Sequence, residues 1–146
     1  AGEPLVAVGD MVTYHLLDAI RQRAAQGMPL WGTCAGAILL ARDIADGRED
    51  QPRLGLMDIG VRRNAFGRQI NSFETTLTIP ALGETPFPGV FIRAPAIESV
   101  GTDVETLAQL ADPATIVAAR SGHLLATTFH PELTPDDRVH RYFLEL

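Results

Sequence analysis

Trp31-Gly32-Thr33-Cys34-Ala35-Gly36 sets the single cysteine of a 146-residue chain in a G-x-C-x-G pattern, between two apolar stretches. Read as strand, turn and helix, the pattern is a nucleophile elbow: a turn tight enough to strain its central residue, with glycines two positions away to avoid clashes. The helix that follows points N–H groups at the sulfur and favours thiolate. The N–H of Ala35 is placed to hold an oxyanion. A lone cysteine in an apolar run is more often a buried structural residue; the flanking glycines shift the balance towards a nucleophile.

A base follows 96 residues later, in Thr128-Phe129-His130-Pro131-Glu132-Leu133. A neutral imidazole at the end of an apolar strand can take a thiol proton. Pro131 pushes His130 towards extended backbone, and Glu132 is close enough to orient the ring and favour its charged form. Alone, H-P-E is a weak signal; paired with the elbow it is strong. His15, His123 and His140 have polar neighbours and are read as surface residues. His130 and Glu132 as metal ligands would need a third partner, and none stands at a regular spacing.

These side chains need elements to hold them. Val12, Leu16, Leu17, Ile20 and Ala24 recur at helical spacing up to Gly27, which predicts a helix with a glycine stop. Met28 to Thr33 reads as a buried strand and Ala35 to Ala45 as a helix. Asp46 to Arg53 is a polar loop. Strands are expected over Ile70–Ile79, Val90–Ile92, Ala96–Val100, Val104–Leu110, Thr115–Ala119 and His123–Thr128. Gly83 to Gly89 is expected as a turn region, and Asp136 to Leu146 as a closing helix. The result is one α/β domain.

Composition narrows the chemistry. Twelve basic residues against eighteen acidic ones give a net charge of −6, which argues against a binder of nucleic-acid phosphates. All twelve are arginine, so these residues offer no lysine for a Schiff base or a Walker-type phosphate loop. One cysteine excludes an internal disulfide and a multi-cysteine zinc site. With no signal peptide and no apolar run of spanning length, a cytoplasmic protein without a membrane segment is expected.

At this point the chain resembles the class-I, triad-type glutamine amidotransferases, whose motifs are G-x-C-x-G and H-x-E. Further segments sharpen the likeness to one family, the PdxT/SNO glutaminase subunits of pyridoxal 5′-phosphate synthase. They are Gly55-Leu56-Met57-Asp58, Arg63-Asn64-Ala65-Phe66-Gly67-Arg68-Gln69, Phe91-Ile92-Arg93-Ala94-Pro95, Ala118-Ala119-Arg120-Ser121-Gly122 and the H-P-E segment itself. The resemblance implies a three-layer α/β/α flavodoxin-like fold and a catalytic triad of Cys34, His130 and Glu132. It implies L-glutamine hydrolysis through a thioester, with ammonia passed to a separate synthase subunit in a hetero-oligomer. Neither cofactor nor metal is implied for this subunit. Arg63, Ile92 and Arg93 fall on glutamine-binding positions, and an arginine fork suits the substrate carboxylate.

The chain departs from the family at its start. Ala1-Gly2-Glu3-Pro4 falls on a family Gly-Gly-Glu-Ser loop that helps bind glutamine and form the oxyanion hole. Gly2 and Glu3 match, whereas Ala1 and Pro4 do not, and Pro4 has no N–H to offer. Residues 1–146 are therefore expected to form a glutaminase domain lacking the family's N-terminal strand-helix-strand portion. Two alternatives stay open: a class-I glutaminase serving another synthase, and a weakly active docking subunit with an altered oxyanion loop.

Overall fold

The computed structural model describes residues 16–45, 52–63, 65–66, 72–111 and 115–146. Helix α1 (Leu16–Ala25) buries Ile20 and Ala24 one turn apart. It ends before Gly27, whose φ of 96° favours glycine. Strand β1 (Leu30–Thr33) leads through Cys34 into helix α2 (Ala35–Leu40).

The helix expected over Ala35–Ala45 is shorter than its periodicity suggested. Ala41 turns to extended backbone, with φ −68° and ψ 143°, and Ala41–Ile44 becomes strand β2. It pairs in parallel with β3 (Met57–Arg62), Ala41 facing Met57 and Ile44 facing Val61. Nothing in the sequence reading anticipated β3, although its burial alternates at every second residue. Short apolar runs fit either period, and here the pairing partner decided.

Strands β4 (Ser72–Leu77) and β5 (Phe87–Ile92) form a separate antiparallel hairpin, joined through a 3-10 turn over Pro80–Leu82. Strand β5 takes in Phe87, Pro88 and Gly89, which were expected in the preceding turn. Next come β6 (Ala96–Val100), β7 (Glu105–Gln109), β8 (Ile116–Ser121), β9 (Leu124–Thr127) and helix α3 (Arg138–Leu144). The main sheet runs β1-β9-β8-β6-β3-β2, with β7 also on β8. It is mixed: β1 with β9 and β2 with β3 are parallel, and the other pairs are antiparallel.

Alternation along these strands builds two cores, one on each face. Leu30, Leu124 and Ala126 pack with Ile20 and Ala24 of α1 and Ala37 and Leu40 of α2. Trp31 and Leu125 point the other way, to Val139 and Phe143 of α3 and Phe87 and Phe91 of the hairpin. The layers are therefore α1 and α2, the sheet, then α3 with the hairpin. Arg138 ties this third layer together by donating to the carbonyls of Thr85 at 2.7 Å and Pro86 at 2.9 Å. It also holds the Asp136 carboxyl below its usual pKa range. Among the described residues no helix is long and apolar enough to cross a membrane.

Two histidines read as surface residues are half-buried instead. Nε2 of His123 lies 2.9 Å from the Ala24 carbonyl, and the His140 ring meets Trp31 edge-on at 4.9 Å. Flanking polar residues concealed this, because the burying partners come from other layers. His15 lies outside the described residues.

Candidate active site

Cys34 sits between the end of β1 and the start of α2 with φ 53° and ψ −107°, a left-handed φ that is uncommon outside glycine. Gly32 makes the turn possible. A Cβ there would lie 2.3 Å from the Gly36 carbonyl oxygen and 2.9 Å from the Ala37 nitrogen. The N–H of Cys34 donates to the Thr127 carbonyl at 2.8 Å, so the parallel pairing of β1 with β9 extends into the elbow.

His130 follows β9 and is held from a second side, its N–H donating to the Val90 carbonyl of β5 at 2.9 Å. Phe129 wedges beneath it, fully buried, with its ring centroid 5.7 Å from that of Phe91. The histidine thus stands where the main sheet meets the hairpin. Its Nδ1 lies 2.6 Å from Glu132 Oε1, the short contact of a charge-assisted pair. The nucleophile candidate just past β1 and the base and orienter candidates just past β9 thus follow neighbouring parallel strands.

The thiol is less acidic than the elbow alone suggested. Burial pushes the Cys34 pKa up, the Ala35 N–H pulls it back, and the negative Glu132 raises it further. Desolvation outweighs the pull of that N–H, the part of the following helix that reaches the sulfur. Cys34 is thus a weaker acid than an ordinary cysteine, and its Sγ donates to the Ile92 carbonyl at 3.8 Å. Alkylation by a small neutral reagent should therefore still be accelerating with pH above the ordinary cysteine range. A rate that levels off near neutrality would contradict this.

The other candidate residues gather unevenly. Ile92 ends β5 beside the sulfur, and Arg93 follows with an exposed side chain and φ 46°. Arg63 is exposed just past β3, where Arg62 pairs with Ala96; it therefore sits alongside the Arg93–Ala96 connection. Ala35 directs its N–H at Cys34. Gly2 and Glu3 lie outside the described residues, as does Arg68. Sequence reasoning missed the carbonyls of Thr127, Val90 and Ile92, since a backbone acceptor carries no residue signature.

A family model described as the SNO glutamine amidotransferase family matches residues 2–146. The pyridoxal 5′-phosphate synthase subunit PdxT of Herpetosiphon aurantiacus is 66% identical over 137 residues, covering 93% of this chain and 72% of that protein. The subunit of the same name from Chloroflexus aurantiacus is 54% identical over 147 residues, 99% of this chain and 77% of its own. A crystal structure of a glutamine amidotransferase is similar at a TM-score of 0.87 and 47% identity, covering 97% of this chain and 76% of that one. The PurLQS structure from Thermotoga maritima shares the fold at a TM-score of 0.64 and 14% identity, over 98% of this chain and 79% of that one.

Proposed function

The chain belongs to the SNO glutamine amidotransferase family, and from that premise we propose that it is the glutaminase subunit of a pyridoxal 5′-phosphate synthase. It hydrolyses L-glutamine to L-glutamate and ammonia, with Cys34, His130 and Glu132 as the triad. Ammonia passes to a synthase subunit in a hetero-oligomer for vitamin B6 biosynthesis. The observation that carries the residue assignment is the left-handed backbone of Cys34 over a glycine with no room for a Cβ. A structural cysteine has no need of such strain.

In the reaction His130 takes the Sγ proton, and the sulfur attacks the side-chain carbonyl carbon of glutamine. The carbonyl electrons move onto oxygen, where the Ala35 N–H donates to them. The adduct collapses, the C–N bond breaks, and His130 gives its proton to the departing nitrogen. Ammonia leaves and a thioester remains. Water attacks the thioester while His130 takes its proton; the C–S bond breaks, Cys34 regains the proton and glutamate departs.

Arg63 and Arg93 suit the substrate carboxylate, with Ile92 beside them, and we assign Gly2 and Glu3 to the same site, Gly2 as a second oxyanion donor. The lysine-free composition fits a division of labour in which imines form on the partner. The cytoplasm, which keeps thiols reduced, is the compartment for this chemistry.

A glutamine-analogue electrophile should label the chain once, at Cys34, in the presence of the synthase subunit, and glutamine should protect. Labelling elsewhere, or none, would overturn the assignment. Replacing Glu132 by Gln should have two opposed effects. Removing the negative charge lets Cys34 ionise at lower pH, so its alkylation profile shifts down. The imidazolium formed in each turnover loses its partner, so kcat falls by about 10–100-fold. Half-exposure of Glu132, 47% for its side chain, keeps the loss below that of a buried orienter.

A further inference from the structure

We propose that the buried hydrogen bond between Trp31 and Thr127 is a positioning device that fixes the nucleophile against its base, an inference that rests on the function proposed above. Trp31 Nε1 donates to Thr127 Oγ1 at 3.0 Å. Only 7% of Trp31 and 1% of Thr127 are exposed, so water cannot substitute for either partner. The two residues are 96 positions apart, the same separation as Cys34 and His130. Each partner therefore lies three residues before one member of the catalytic pair.

Thr127 faces both ways. Its carbonyl accepts the Cys34 N–H at 2.8 Å, and its hydroxyl makes a long contact of 3.5 Å to the carbonyl of Phe129, the residue before His130. Among the described residues β1 pairs only with β9, over four residue pairs from Leu30–Leu124 to Thr33–Thr127. Burial on both faces fixes the register of that ladder, but its last pair stops at Thr33, the residue before Cys34. The indole is held in turn by α3, through His140 edge-on at 4.9 Å and Phe143 at 5.6 Å. The side-chain bond thus trims the fit of β1 against β9 within that register, and hence where Cys34 stands relative to His130. A displacement of about 1 Å between reacting groups can cost on the order of 100-fold in rate.

The test uses Thr127→Val, Thr127→Ser and Trp31→Phe with Thr127→Val in one chain, each assayed for glutamate release with the synthase subunit present. Thr127→Val should lower kcat by about 10–100-fold while KM for glutamine changes less than about twofold. Thr127→Ser should keep most of the activity. The double variant separates positioning from stability. It removes the orphaned indole N–H that Thr127→Val leaves buried, so its melting temperature should recover, yet kcat should stay low. Recovery of kcat in parallel with melting temperature would overturn the proposal, as would a kcat for Thr127→Val within twofold of the parent. A parent chain that releases no glutamate and takes no glutamine-analogue label would overturn the functional reading instead.

Discussion

Replacing Cys34 by Ala should abolish glutamate release, by at least about 10⁴-fold, with the synthase partner present and the fold intact. The thioester is the reason: without sulfur no covalent intermediate forms, and water alone must attack a poorly electrophilic amide. Replacing His130 by Asn should cost a comparable factor. Burial makes the thiol a weaker acid than usual, so attack depends on a partner that removes the proton. The combined variant should be no worse than either single one, because nucleophile and base act as a unit. Steady-state glutamate release by all three variants is the measurement. Independent, multiplying losses would show that His130 serves some other purpose. The melting curve of Cys34→Ala should stay close to that of the parent, which separates lost chemistry from lost structure.

The second large effect is expected at Gly32. An alanine there would place its Cβ 2.3 Å from the Gly36 oxygen and 2.4 Å from the Gly36 carbon. Both are backbone atoms at the head of α2, so relief requires the helix to move. Overpacking of this kind costs about 1–3 kcal/mol, roughly 3–10 °C of melting temperature at this size. Activity should suffer more than stability. The moving segment carries the Ala35 N–H, and a displacement near 1 Å at the reacting atoms costs on the order of 100-fold. Gly122→Ala is the control. Its φ of 59° strains a side chain, but nothing lies within 4 Å of the added Cβ. That change should cost about 1 kcal/mol and leave glutamate release unaltered. Equal losses of activity in the two variants would show that the elbow is not special.

The chemistry was more legible in the sequence than the architecture around it. Glycines two positions from Cys34 and the proline after His130 constrain backbone locally, so a few adjacent residues report the geometry. Strands β6 to β9 were readable within one or two residues for the same reason, since apolar runs end at turn residues. Strand β2 was not. The stretch from Ala37 to Ile44 fits a helical period, and only its pairing with β3, sixteen residues on from Ala41 to Met57, makes part of it extended. Long-range partners also explain His140, whose burial comes from Trp31 on another layer. The hairpin's part in the site was hidden for a third reason: Val90 and Ile92 contribute carbonyl oxygens, and any residue could supply those.

The resting contact of the Cys34 thiol with the Ile92 carbonyl bears on how long the protein survives in use. Peroxides oxidise thiolates, and sulfenic acid formation follows thiolate character and exposure. A cysteine kept protonated by burial and by a nearby carboxylate therefore ages slowly while idle. With one cysteine in these 146 residues, no second thiol within them could rescue an oxidised sulfur as an intramolecular disulfide. Low intrinsic reactivity is then the chain's own antioxidant protection, given up only for the duration of a turnover.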